Sequence, residues 1–174
     1  PRVRIDMTAE NRLTDLVAGG FDLAIRIGEM AESSLVARRV GTCRLIACAS
    51  PAYLDRRFRP ATAEQLRDFD RLVFAGATSP GDWRFVDPDG RATTIENEAG
   101  VRLRADSVDV LVKAAVSGAG IAFGPDFAFA ASLHRGVLER ILPDHATTAL
   151  DIHVVYPSRR HVGTHVRCFI DMLL

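Results

Sequence analysis

The chain has 174 residues, of which 48% are apolar and 25% charged, with 22 basic residues against 22 acidic ones. Zero net charge gives no general attraction to nucleic acid or to an anionic membrane, and no run of about 18 apolar residues is present to span a membrane. The three cysteines Cys43, Cys48 and Cys168 are odd in number and lack the paired spacing of a zinc site, which favours reduced thiols in a cytosolic protein.

The first part of the chain predicts alternating strands and helices. Residues 3–7 alternate like a strand, Thr8 can cap a helix, and Gly19-Gly20 ends that helix before a strand from 21 to 27. This order predicts a βαβ unit with parallel strands. The elements predicted next are strands at 35–40 and 43–49 separated by Gly41-Thr42, a helical turn from Pro51, a helix from the capping box at 62–65, and a strand at 71–75.

One arginine interrupts the apolar strand predicted at 21–27. A guanidinium cannot be neutralised, so burying Arg26 costs several kcal/mol unless it is paired, hydrogen-bonded or faces a cleft. Arg26 comes just before Gly28, at the end of the strand. Because ligands in open α/β sheets bind beyond the carboxyl ends of parallel strands, this position predicts a small-molecule site.

The second half of the chain predicts a hairpin, a helix and further strands. The Pro-Asp-Gly turn at 88–90 joins two short strands. Asp106 or Ser107 caps a helix that ends at Gly118, and the free N–H groups at its start can receive a carboxylate. The remaining predicted elements are a strand at 121–123, a helix to Gly136, strands at 137–142 and 151–156, and a terminal helix whose apolar face carries Val166, Phe169, Ile170 and Leu173.

The motifs of common enzyme and metal sites are missing. Gly118, Gly120 and Gly124 do not have dinucleotide-binding spacing and fit a helix end followed by a strand. His161 and His165 are four residues apart, but no third ligand accompanies them, and a solvated helix start explains them better. No nucleophile and base occur at a recognised spacing, so we expect no catalytic residues, no metal and no cofactor.

Several segments in register resemble the effector-binding domain of LysR-type transcriptional regulators. These segments are 15–28, which includes Gly-Gly-Phe-Asp-Leu-Ala-Ile-Arg-Ile-Gly, then 34–39, 49–54, 111–124, 136–138 and 155–158. The resemblance implies an α/β periplasmic-binding-protein-like fold of type II, with mixed sheets flanked by helices in two lobes around a small effector. We expect lobe I to comprise 1–41 and 147–174, and lobe II 42–146. We also expect the first strand and helix of lobe I to be missing, which makes the domain N-terminally truncated.

The resemblance also implies a sensor rather than an enzyme. The expected effector is a small carboxylate or aromatic molecule, the expected assembly is a homodimer or homotetramer, and DNA is bound only through an N-terminal helix-turn-helix outside this chain. The expected location is the cytoplasm, without membrane contact. A solute-binding protein or an enzyme on the same two-lobe fold is the alternative. The residues carried over to the effector site are Thr8, Ala9, Arg26, Ile27, Trp83, Ser107, Phe123 and Pro125. Trp83 alone leaves two interpretations equally open, a wall of the site or a core aromatic.

Overall fold

The structure, a computed structural model, describes residues 4–10, 14–30, 35–76, 81–98, 100–157 and 163–173. The chain divides into two compact units, which we call unit 1 (Pro1–Thr42 with Leu150–Leu174) and unit 2 (Cys43–Ala149). The predicted lobes divide the chain at 41/42 and 146/147. That these units are the two lobes of one effector-binding domain stays a prediction.

Ten strands and four α-helices occur in the described part of the chain. The strands are β1 Ala24–Ile27, β2 Leu35–Ala49, β3 Arg71–Phe74, β4 Trp83–Val86, β5 Ala92–Ile95, β6 Val101–Ala105, β7 Ile121–Pro125, β8 Glu139–Ile141, β9 Ala146–Thr147 and β10 Ala149–Pro157. The helices are α1 Pro51–Arg56, α2 Val108–Val116, α3 Asp126–His134 and α4 Thr164–Leu173, with a short 3-10 helix at Glu64–Asp68. No helix among these residues is long and apolar enough to cross a membrane.

Unit 1 is built on the strand order β1-β10-β2, with α4 packed on β10. The predicted apolar face of the terminal helix is confirmed, because Val166 and Ile170 are buried against Val154 of β10. β1 is antiparallel to β10, and Ala24 lies opposite Val155. Packing against this helix face, rather than helix propensity, is what stabilises a ten-residue helix.

The predicted N-terminal βαβ unit is wrong. Residues 4–10 are exposed and have no regular structure, so the described residues contain neither the predicted strand nor a helix start at Thr8; residues 11–13 lie outside them. Residues 16–20 form a turn in which the N–H of Phe21 donates to the carbonyl of Leu16 at 2.9 Å. A short helix or a single strand is marginal in water without a packing or pairing partner, and local patterning does not supply one.

β2 is one continuous strand of 15 residues that runs from unit 1 into unit 2. The predicted break at Gly41-Thr42 is therefore wrong, although the boundary between the units falls at this point. A Cβ added to Gly41 would meet nothing within 4 Å. Nothing in the surroundings of this glycine requires a turn, and Thr42 is β-branched and suits a strand.

Unit 2 contains a mixed sheet in the order β2-β7-β3-β6, with β8 paired to β2. β3 is parallel to both β6 and β7, whereas β7 is antiparallel to β2. α2 and α3 cover this sheet through buried apolar side chains. The core comprises Ile46, Cys48, Leu72, Leu111, Ala115, Ala122, Phe129 and Leu138.

The predicted hairpin and helix end in unit 2 are confirmed. β4 and β5 are antiparallel neighbours, and in the turn between them Asp87 exchanges backbone and side-chain hydrogen bonds with Arg91. α2 ends in a Schellman motif, in which the N–H of Gly118 donates to Ala115 and that of Ala119 donates to Ala114, both at 3.0 Å. Gly118 has φ +79°, the left-handed conformation that this motif requires.

Candidate functional site

The carboxyl ends of three parallel strands meet along one edge of the unit 2 sheet. β3 and β6 end side by side, with Phe74 paired to Ala105, and β7 runs parallel on the other side of β3 and ends at Pro125. α2 begins shortly after β6, and α3 begins directly after β7. Two helix N-termini therefore point their free N–H groups towards this edge, which we call the carboxyl edge.

Ser107 is the N-cap of α2 at the carboxyl edge. Its backbone is extended, with φ −121° and ψ 122°, and its hydroxyl makes no capping hydrogen bond to the helix. The start of α2 lies against the end of β7, because a Cβ on Gly124 would be 3.7 Å from Cγ1 of Val108. The structure thus brings the predicted site residues Ser107 and Pro125 to the same edge.

The first turns of both helices also carry acidic residues, Asp109 in α2 and Asp126 in α3. The Oδ1 atom of Asp126 accepts from the N–H of Phe127 at 2.8 Å. Both carboxylates reduce the positive potential of the helix starts. A ligand at this edge therefore gains more from directed hydrogen bonds than from long-range attraction.

Trp83 belongs to an aromatic cluster inside unit 2. Its ring stacks on Phe123 with centroids 5.1 Å apart, and Phe85 lies 5.4 Å from Phe123 on a tilted plane. The exposed fraction is 2% for Trp83 and 4% for Phe123. Of the two interpretations open for Trp83, the structure supports the core aromatic. Direct contact of Trp83 or Phe123 with an effector stays a prediction.

Arg71 is a buried cation in unit 2 that the sequence analysis missed. It is 1% exposed, its Nη1 donates to the carbonyl of Glu96 at 2.5 Å, and its Cζ lies 5.8 Å from the centroid of Trp83. Burial lowers the pKa of Arg71, and the charge of Arg67 lowers it further. Arg71 stands directly before an apolar run, so the argument applied to Arg26 would have found it.

Arg26 has a protein partner within unit 1. Its Nη2 donates to the carbonyl of Thr14 at 3.0 Å, and in the β1–β10 pairing it lies opposite His153. The apolar sequence of this strand indicates burial on both faces, but β1 is the edge strand of its sheet among the described residues and its Ile25 is 52% exposed, so that interpretation is wrong. Arg26 is only half-buried and donates to one backbone acceptor. The several kcal/mol expected for burying an unpaired guanidinium therefore do not apply.

The other predicted site residues of unit 1 do not belong to a helix start in the described residues. Thr8 and Ala9 lie in the exposed irregular segment, and Ile27 pairs with Ile152 of β10. Their contacts with an effector stay predictions. His161 lies outside the described residues, so the spacing of His161 and His165 is not tested. Nε2 of His165 lies 3.8 Å from Oδ2 of Asp22. Among the described residues, no three metal-ligating groups lie together.

Comparison with known proteins identifies the family. The profile of the LysR substrate binding domain matches residues 1–174. The chain belongs to this family. Membership confirms the predicted recognition as a LysR effector-binding domain, and the α/β periplasmic-binding-protein-like fold is confirmed with it.

Two curated relatives and one solved structure illustrate the similarity. An uncharacterised HTH-type transcriptional regulator of Haemophilus influenzae is 33% identical over 170 residues, covering 95% of this chain and 57% of the relative. An HTH-type transcriptional repressor of Pseudomonas aeruginosa is 31% identical, covering 100% and 55%. The full-length structure of AphB, the virulence activator of Vibrio cholerae, has a TM-score of 0.82 at 29% identity, covering 98% of this chain and 57% of AphB. The LysR domain described here thus spans about half the length of the curated relatives it matches.

Proposed function

We propose that this LysR domain is the effector sensor of a DNA-binding transcriptional regulator and that it binds a small carboxylate or aromatic molecule. The observation that carries the proposal is the carboxyl edge of unit 2, where α2 and α3 both begin. Membership of the LysR family supports the regulatory role. DNA binding, assembly into a homodimer or homotetramer and a cytoplasmic location belong to the same proposal, and the DNA-reading part is a helix-turn-helix outside this chain.

The carboxylate of the effector is held by hydrogen bonds rather than by a metal. The N–H groups in the first turn of α2 and the hydroxyl of Ser107 donate to its oxygens, and the partial positive charge at the helix start adds to the attraction. Binding alters function by changing the populations of conformations, since the effector stabilises the conformation that it fits best. No covalent step is involved.

A thermal-shift screen of aromatic and aliphatic carboxylic acids tests the proposal. At 100 times the dissociation constant an effector stabilises the domain by about 2.7 kcal/mol, which raises Tm by about 5–11 °C for a domain of this size. Ser107→Ala removes one hydrogen bond to a charged group and weakens binding by about tenfold or more. Ser117→Ala, at the other end of α2, is the matched control and leaves the affinity unchanged.

Two results would reject this site. In one, no acid raises Tm. In the other, a stabilising acid binds Ser107→Ala as tightly as the unmodified domain, which moves the site away from the start of α2.

Arg26 is tested separately because it has a structural partner. A guanidinium has five N–H donors, so Arg26 can donate to Thr14 and to an effector carboxylate. We propose that Arg26→Ala lowers the ligand-induced rise in Tm in addition to lowering Tm without ligand. A variant that is less stable but keeps the full ligand-induced rise assigns Arg26 to structure alone. The remaining proposed effector contacts can be tested by the same thermal-shift measurement after substitution with alanine, or with glycine at Ala9. They are Thr8, Ala9, Ile27, Trp83, Phe123 and Pro125.

A further inference from the structure

A cavity of about 440 Å³ lies in unit 2 at the opposite edge of the sheet from the carboxyl edge. β3 and β6 begin beside it, at Arg71 and Val101. We call it the arginine cavity, because three of its eight lining residues are arginines. It is lined by Arg57, Arg67, Asp68, Phe69, Asp70, Gly100, Val101 and Arg102.

Asp70 organises the arginine cavity. Its Oδ2 accepts from the hydroxyl of Tyr53 at 3.1 Å and from Nη2 of Arg57 at 3.3 Å, and it lies 3.5 Å from Nη1 of Arg102. Burial acts to raise the pKa of Asp70, but hydrogen bonds from Arg57 and Tyr53 and the charge of Arg102 outweigh it, so the pKa lies below its ordinary value. The carboxylate is therefore ionised at neutral pH and holds two guanidinium groups in place.

Three guanidinium groups reach the arginine cavity from three different elements. Arg57 follows α1, Arg67 lies in the 3-10 helix and Arg102 lies in β6. Arg67 donates through Nη2 to the carbonyl of Thr94 at 3.0 Å. Each of these contacts uses one nitrogen of a planar group with five N–H donors, so each arginine can bind its protein partner and an anion together.

A fourth cation lies beneath the lining. A Cβ on Gly100 would be 3.4 Å from Nη2 of Arg71, so the buried guanidinium of Arg71 is next to the cavity surface. The Nε of Arg71 is buried and has no hydrogen-bond partner. The lining arginines and Arg71 together outnumber the two aspartates of the lining, Asp68 and Asp70. An anion in the arginine cavity thus meets an excess of positive charge although the chain as a whole is neutral.

We propose that the arginine cavity binds a phosphate-type oxyanion, held by Arg57, Arg67 and Arg102. A tetrahedral group with four oxygens can accept from three guanidinium forks that arrive from different sides, whereas one carboxylate group offers two oxygens in a plane. Inorganic phosphate also keeps an O–H at neutral pH, which can donate to Asp68 or Asp70. Sulfate has no such proton, so the aspartates repel it. This proposal does not depend on the proposed effector site.

The test is calorimetric titration of the whole domain with inorganic phosphate, with sulfate and with chloride at matched ionic strength. We expect phosphate to bind at least about tenfold more tightly than sulfate, and chloride not to bind. Glucose 6-phosphate in a further titration separates the two sources of this group. Its phosphate monoester has mostly lost the last O–H at neutral pH, so weaker binding than that of inorganic phosphate assigns the free ion, and tighter binding assigns a phosphorylated metabolite whose sugar adds contacts. Both results support the cavity.

Charge-matched variants locate the binding. The side chain of Arg102 is 60% exposed, so Arg102→Gln is expected to fold and to lose phosphate affinity by about tenfold. Arg102→Lys keeps the positive charge but loses the planar guanidinium, so its phosphate affinity is expected to lie between those of the unmodified domain and Arg102→Gln. Arg44→Gln removes one exposed arginine of β2 elsewhere in unit 2 and leaves the affinity within about twofold.

Four results would overturn the proposal, three from the titrations already described and one from a further anion. The first three are equal heats with phosphate, sulfate and chloride, equal losses in Arg102→Gln and Arg44→Gln, and an unchanged affinity in Arg102→Gln that folds like the unmodified domain. A preference for succinate over phosphate would also overturn it, because it would assign the cavity to carboxylates.

Discussion

Gly120 connects the end of α2 to β7 and is the glycine whose replacement has the clearest structural cost. A Cβ on Gly120 would lie 2.3 Å from the carbonyl oxygen of Asp70 and 3.0 Å from its carbonyl carbon. Side-chain Cβ atoms essentially never approach other heavy atoms within 3.0 Å. That carbonyl is fixed in place because it accepts from the N–H of Ile121 at 2.9 Å. Gly120→Ala therefore forces the backbone of either Gly120 or Asp70 to move.

The magnitude follows from what that movement breaks. Separating the Asp70 carbonyl from Ile121 leaves the N–H of the buried Ile121 poorly bonded, at a cost of about 1 kcal/mol. A backbone held in a rarely populated conformation, here φ +157° at Gly120, adds about 1–3 kcal/mol for a residue with a Cβ. The sum of about 2–4 kcal/mol is a large share of the 5–15 kcal/mol typical of a domain's total stability.

Urea unfolding followed by circular dichroism measures this loss. Gly41→Ala is the matched control, because a Cβ there meets nothing within 4 Å and the residue lies inside β2. We expect it to raise stability by about 0.4–1 kcal/mol through the unfolded state. If Gly120→Ala unfolds within about 0.5 kcal/mol of the unmodified domain, the close approach to Asp70 is not a constraint and the reasoning fails.

Three further changes have definite expected results. Hydrogen bonding from Thr93 lowers the pKa of Glu64 to about 2. The ionised Glu64 therefore stabilises the folded domain fully above pH 4.5, its ordinary pKa, and this contribution is lost as the pH falls towards 2. In Glu64→Gln the free energy of unfolding in urea should depend less on pH between 4.5 and 2. Burial raises the pKa of Cys48 to about 12, so in native protein iodoacetamide should label Cys48 last and the half-buried Cys168 first, by mass spectrometry. Trp83→Ala should cost about 3–5 kcal/mol in urea unfolding, because a buried ring is removed from the core.

Each of these expectations has an opposing result. A Glu64→Gln profile as steep as that of the unmodified domain places the acid sensitivity elsewhere. Labelling of Cys48 before Cys168 means that unit 2 opens readily or that the thiol is not desolvated. If Trp83→Ala lowers the free energy of unfolding by less than about 1 kcal/mol, Trp83 is better interpreted as a wall of the effector site than as a core aromatic.

The parts of the fold that sequence predicts well are those with local signals. The turn at 87–90, the start of α2 after Ser107 and its end at Gly118 all depend on residues within one or two turns of the chain. Turn chemistry and capping need no information from distant segments. The resemblance to the LysR family added the fold class, which local patterns alone left as mixed α/β.

The parts that sequence predicts poorly depend on partners far along the chain. β1 pairs with β10, and no feature near Arg26 indicates that the strand 126 positions later, around Ile152, is antiparallel to it. The irregular segment around Thr8 alternates like a strand, but alternation does not provide a neighbour to pair with. For the same reason Ser107 and Pro125 of unit 2 lie at one sheet edge, whereas Thr8 and Ala9 of unit 1 lie in the irregular segment. Contact of any of these residues with an effector stays a prediction.

The carboxyl edge and the arginine cavity lie at opposite ends of the same strand. β3 runs from Arg71 to Phe74, a span of about 13 Å, and its neighbours β6 and β7 hold it on both sides. Hydrogen-bonded pairing on both sides holds β3 in its register, and energetic coupling between sites needs an element with two states. We therefore expect saturating phosphate to change effector affinity by less than about twofold. Titration of an effector with and without phosphate measures the ratio, and a change of about tenfold would mean that unit 2 has an alternative packing around β3.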